Sequence, residues 1–111
     1  MRVKSFLFVL LTIFLSFANS FAQEEFKIGV ILGLTGPAQN WSKQSKIALE
    51  IAKDEINAQG GIKGKPIKLI FEDNKTDAKS SVTAFQKLVS QENVSLIIGS
   101  IWNFVTVPLI P

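Results

Sequence analysis

Apolar residues fall into three short runs separated by two stretches of helical periodicity. "FKIGVIL", residues 26–32, is an almost unbroken aliphatic and β-branched run, the pattern of a strand covered on both faces. From Ser42 to about Gln59, Ile47, Ala48, Ile51, Ala52 and Ile56 recur at helical spacing, while Lys46, Glu50, Lys53 and Asp54 take the other face. Gly60-Gly61 ends that helix. "PIKLIFED", residues 66–73, carries Ile67, Leu69 and Phe71 in alternation and predicts a second strand that ends in acidic residues. Asp77 is placed to cap a second helix with Val82, Phe85, Leu88 and Val89 as its apolar stripe. "VSLIIGS", residues 94–100, predicts a third short strand closed by Gly99.

Strand, helix, strand, helix, strand implies parallel pairing with right-handed crossovers, the α/β doubly wound class. In such sheets the second strand lies on one side of the first and the third on the other. The chain reverses direction there, and ligands bind at the carboxyl ends of the strands flanking that point. The two loops that would line this crevice are Leu34 to Trp41 and Gly99 to Asn103. Trp102 and Phe104, just beyond, are apolar enough to open a core helix.

The chain begins "MRVKSFLFVLLTIFLSFANSFA", with Arg2 and Lys4 ahead of an apolar stretch and small residues after it. That is the layout of a secretory signal peptide over residues 1–22, and Ser20 and Ala22 suit cleavage before Gln23. The apolar stretch, Phe6 to Phe17, is shorter than the roughly 20 residues of a spanning helix. No cysteine follows it, which excludes a lipidated N-terminus. Cleavage removes Arg2 and Lys4 and lowers the formal charge of +3 to +1. The mature chain therefore has no basic excess to attract nucleic acid or an anionic membrane. The absence of cysteine fits an oxidising compartment without supplying a disulfide. The apolar ending "NFVTVPLIP" has no helix stop signal, so the chain reads as the opening piece of a larger protein.

The first crevice loop, "GLTGPAQNWS", residues 33–42, has neither the Gly-Lys-Ser/Thr ending of a phosphate loop nor the spacing of a dinucleotide loop. What it offers is backbone amides and a hydroxyl beside a helix start, which attract a carboxylate as well as a phosphate. Thr35, Asn40 and Trp41 are its candidate side chains. Trp41 reads equally as a packing residue or as an apolar cover for a bound solute. Ser100 and Asn103, across the crevice, read as loop caps or as partners for a polar solute group.

Glu72, Asp73 and Asp77 form an acidic cluster without the spacing of a calcium loop. With no histidine or cysteine and no nucleophile elbow, these residues carry no recognisable catalytic apparatus, and the chain is read as a non-enzyme. Nothing in the loops calls for a cofactor or a metal. Three Asn-x-Ser/Thr triplets and "KGK", residues 63–65, read as ordinary surface sequence.

"IGVILGLTGPAQNW", "AKDEINAQGGIKGKPIKLIFEDNKTD" and "SLIIGS" together resemble the start of the periplasmic branched-chain amino-acid binding proteins of ABC importers, the leucine/isoleucine/valine-binding type. The resemblance runs from about Lys27 to Pro111, and the "INAQGGIKGKPI" turn is its most specific part. It implies the type I periplasmic-binding-protein fold, a two-lobed clamp closing on its solute. Residues 23–111 would be the first three parallel strands and two helices of the amino-terminal lobe. It further implies a periplasmic location, an amino acid or related small molecule as ligand, and an ABC importer permease as partner. A sensing domain of an extracytoplasmic receptor shares the fold and is the alternative. Trp41 matches the family's ligand-contacting aromatic residue. Asn103 stands where members that bind amino acids often carry serine, and Ser42 where glycine is frequent. Both departures bear on which solute is bound more than on the fold.

Overall fold

The computed structural model describes residues 23–110. The expected signal peptide lies outside the described residues. Strands β1 (Phe26–Leu32), β2 (Ile67–Asp73) and β3 (Leu96–Ile98) alternate with helices α1 (Gln39–Ala58) and α2 (Ala78–Ser90). A four-residue helix α3 (Asn103–Thr106) and a 3-10 turn (Val107–Leu109) follow. All pairing in the sheet is parallel and the order is β2-β1-β3. The point of reversal therefore falls between β1 and β3, as the sequence predicts.

β1 is the centre of the domain because both its faces are covered. Val30 and Ile31 are consecutive and therefore point to opposite faces, yet each has 0% of its surface exposed. Ile28, Val30 and Leu32 join Ile67 and Leu49 on one face, while Ile31 meets Ala84, Leu88 and Phe85 of α2 on the other. This two-sided burial explains the unbroken apolar run. β2 pairs with β1 along its whole length, from Phe26 opposite Ile67 to Leu32 opposite Asp73.

α1 starts three residues before its predicted first residue and ends in a Schellman motif. The Gly61 amide donates to the Ile56 carbonyl at 3.0 Å and the Gly60 amide to that of Asn57 at 3.1 Å, with Gly60 at φ +103°. Asn57 then ties the helix to the sheet. Its side chain donates to the Ile67 carbonyl at 3.0 Å and accepts from the Ile67 amide at 2.7 Å.

Two apolar stripes differ from expectation. On α1, Leu49 packs on the sheet, whereas Ile47 and Ile51 are 61% and 55% exposed. Ala48, Ala52 and Ile56 are exposed as well, so every residue of the predicted stripe is exposed, and Leu49 and Asn57 make the contacts with the sheet instead. On α2 the buried residues are Ser81, Ala84 and Leu88, with Val89 exposed. The small Ser81 and Ala84 let the helix lie close to the sheet, which turns Val89 outward. β3 is also shorter than expected, three residues in place of seven, since it pairs with β1 only from Ile28 to Val30.

Candidate functional site

Three loops meet at the carboxyl end of the sheet: the β1–α1 loop, the β2–α2 loop, and the segment from Gly99 to Trp102 after β3. The first two are neighbours because parallel register sets Leu32 beside Asp73, so the chains leaving the strands run on side by side. The Asp73 carboxylate accepts from the Thr35 hydroxyl at 2.6 Å, the Thr35 amide at 3.2 Å and the Lys75 amide at 2.8 Å. Partial burial pushes this carboxyl up, but those donors outweigh it and hold it below the ordinary aspartate value.

The β2–α2 loop is itself fixed from beneath. Asn74 is fully buried. Its amide donates to the Leu32 carbonyl at 2.9 Å, its side chain donates to the Ser81 hydroxyl at 3.0 Å, and its side-chain oxygen accepts from the Thr76 amide at 3.0 Å. Asp77 caps α2 as predicted, accepting from the Ser80 amide at 2.8 Å. That bond holds its carboxyl below the usual range. Glu72 pairs with Lys87 at 2.6 Å, and the same hydrogen bond raises the Lys87 ammonium. Each member of the acidic cluster thus has its own partner within the fold.

Asn40 and Trp41 occupy the second and third positions of α1, inside the helix and not ahead of it. The helix has no side-chain cap and no acidic residue in its first turn. The Gln39 amide donates to the Gly36 carbonyl at 3.1 Å and the Ser42 amide to the Ala38 carbonyl at 2.9 Å. No backbone carbonyl among the described residues accepts from Asn40 or Trp41. Two amides of this helix start therefore have no backbone partner among the described residues and carry the positive end of the helix dipole. Ser42 is 5% exposed, so this position takes only a small residue, in keeping with the glycine of the resembled family.

Trp41 is 56% exposed and meets Trp102 edge-on across the crevice, with ring centroids 6.0 Å apart and planes at 61°. Trp102 in turn lies 5.6 Å from the Phe104 ring. The core helix expected here does begin at this point, but its buried residue is Val105, while Phe104 is half exposed. Asn103 is the exposed first residue of α3. Ser100 is half-buried, and its carbonyl accepts from the Thr106 hydroxyl at 2.8 Å.

Of the five candidate side chains, Trp41 meets the loop after β3 through Trp102, Asn40 precedes it in α1, and Ser100 and Asn103 belong to the segment on either side of Trp102. Thr35 turns away toward Asp73. Sequence reasoning missed Trp102 as the partner of Trp41, and it missed the ties from Asp73, Asn74 and Thr76 to the first loop. The alternation of Asx and Thr in "DNKTD" was the available signal, since such residues bond neighbouring backbone in loops.

A parallel sheet of order β2-β1-β3 with its crevice at the point of reversal is the doubly wound α/β arrangement, and the chain shares it, as the type I periplasmic-binding-protein fold, with LivJ of Streptococcus pneumoniae, solved in complex with isoleucine. That structure superposes with a TM-score of 0.73 at 30% identity over 77% of this chain and 24% of its own. The chain belongs to the periplasmic binding protein family, whose model matches residues 25–111. It is 31% identical over 94 residues to the Leu/Ile/Val-binding protein of Escherichia coli K12, covering 85% of this chain and 25% of that protein. It is 35% identical over 95 residues to Leu/Ile/Val-binding protein homolog 3 of Brucella melitensis, covering 86% and 25%. The chain spans about a quarter of the length of these curated relatives.

Proposed function

We propose that the chain is part of the amino-terminal lobe of an extracytoplasmic solute receptor that captures an amino acid, or a related small carboxylate or amide, for an ABC importer. The carrying observation is the start of α1, where the two amides without a backbone partner belong to Asn40 and to Trp41, whose ring meets that of Trp102. Amides at a helix start favour a carboxylate. The indole pair provides apolar surface for the rest of the solute. Asn103 and Ser100 reach its polar end from the far wall. The relatives named for leucine, isoleucine and valine support a zwitterionic apolar solute. The aromatic rim extends the range to aromatic acids.

In this reading residues 1–22 direct export to the periplasm, residues 23–111 contribute part of one lobe's closing surface, and the membrane permease is the partner that receives the solute. The test is titration calorimetry on the complete protein against leucine, isoleucine, valine, phenylalanine, their amides and 4-hydroxybenzoate. Saturable binding of at least one is expected. Heats indistinguishable from dilution across the panel would overturn the reading.

A further inference from the structure

Thr76 has an unusual backbone for its type. It lies at φ 59°, directly after Lys75 at φ 53°. A β-branched residue adopts this left-handed region only where its surroundings impose it. The surroundings here are the first crevice loop. The Thr76 hydroxyl accepts from the Ala38 amide at 3.1 Å and donates to the Thr35 carbonyl at 3.2 Å. One hydroxyl thus spans that loop from its third residue to the position preceding α1. The approach is close enough that a Cβ on Gly33 would meet the Thr76 hydroxyl oxygen at 2.5 Å, and one on Gly36 would meet the Lys75 carbonyl at 2.7 Å. Gly36 itself is at φ +82°.

We propose that Thr76 is a positioning residue of the solute site: from the loop after β2, a strand that does not border the crevice, its hydroxyl fixes the Thr35–Ala38 loop and with it the direction in which α1 presents Asn40, Trp41 and their amides. The solute half of this statement rests on the crevice reading above, whereas the loop half stands on the hydrogen bonds alone. Thr76 touches no solute in this scheme. Its effect passes through the Ala38 amide, one residue ahead of the first turn of α1. A loop held before the solute arrives has less ordering left to do when it binds, which raises affinity without adding a contact.

The experiment compares Thr76→Val and Thr76→Ser in the complete protein. Valine keeps the β-branched shape and the strained backbone but removes both hydrogen bonds, and serine keeps the hydroxyl. Residue-resolved amide exchange is read at Thr35 and Gln39, whose own acceptors are Asp73 and Gly36, so any change there is transmitted and not the direct loss of a partner. Exchange at both is expected to rise at least tenfold in Thr76→Val, to stay within about twofold of the parent in Thr76→Ser, and to leave the β1 amides unchanged. Affinity for whichever panel solute binds the parent is expected to fall at least fivefold in Thr76→Val and to recover in Thr76→Ser. Parent-like exchange in Thr76→Val, an equal rise throughout β1 and α2, or unchanged affinity would each overturn the proposal. A parent that binds no panel solute overturns the crevice reading instead, and the exchange data still decide whether Thr76 holds the loop.

Discussion

Gly29, in the middle of β1, is a sharp test of how the sheet and α2 fit together. A Cβ there would lie 2.8 Å from one Leu88 methyl carbon, 3.1 Å from the other and 3.2 Å from the branching carbon. Leu88 has 0% of its surface exposed and is enclosed with Ile31 and Ala84, so it has no open side to move into. Gly29 is not among the glycines at positive φ, and alanine is therefore conformationally acceptable. Replacing glycine in a strand interior gains about 0.5–1 kcal/mol of backbone entropy. Overpacking of a closed core costs about 1–3 kcal/mol. Gly29→Ala should therefore destabilise by roughly 0–2.5 kcal/mol, the difference of those two effects. Leu88→Ala alone should cost about 2–5 kcal/mol through the cavity it leaves. In the double variant the new methyl enters that cavity, so adding Gly29→Ala to Leu88→Ala should be neutral or stabilising. The expected coupling is about 0.5–3 kcal/mol. Urea unfolding of the complete protein and its three variants measures the cycle. Strictly additive penalties would show that contact with Leu88 is not what keeps this position glycine.

Trp41→Ala in the complete protein should weaken solute binding by about 1–3 kcal/mol through lost apolar burial, with little change in melting temperature because the ring is largely exposed. Asn103→Ala should weaken it as well by leaving a solute polar group unpaired; calorimetry on both variants checks this, and parent-like affinity in both would return Trp41 to a packing role. The Asp73 carboxyl, held below its ordinary value, stabilises the Thr35 contacts at every pH above the unfolded value of about 3.9. That contribution is lost as pH falls through the lower folded value. Exchange at the Thr35 amide, corrected for intrinsic rate, should be flat from about pH 5 to 8 and rise only below about pH 4, and Asp73→Asn should abolish the step. A step surviving in Asp73→Asn would refute that assignment. Exported material should begin at Gln23 by N-terminal sequencing, and recovery of an intact Met1 start from membranes would refute cleavage.

Elements with a strictly local cause were legible in the sequence. β1 was bounded to the residue because a strand covered on both faces is apolar throughout, and Asp77 announced α2 because capping needs only the three residues that follow it. Gly60-Gly61 marked the end of α1 for the same reason. Its start was not marked, since Ala38 offers no capping oxygen, and that uncapped start is what the proposed solute would use. The outward face of α1 was misread because periodicity shows which positions are apolar, and says nothing of whether a neighbour is present to cover them. Asn40, Trp41, Ser100 and Asn103 followed from topology alone, because the point of reversal selects the loops after β1 and β3.

The ties across the first loop needed one further step. Thr35 and Asp73 are 38 residues apart and form no motif, but equal pairing of parallel β1 and β2 brings Leu32 level with Asp73. Two chains that leave adjacent parallel strands at the same level must run together for several residues. Polar residues at equal distances beyond those ends therefore have each other as their nearest partners. Thr35 is three residues past Leu32 and Thr76 three past Asp73, and the hydrogen bond between them is the one that register dictates. The first loop is thus shaped by the residues leaving β2, on the side of β1 away from the crevice, which is why, under the proposed function, mutations in "DNKTD" are expected to alter binding without touching the solute.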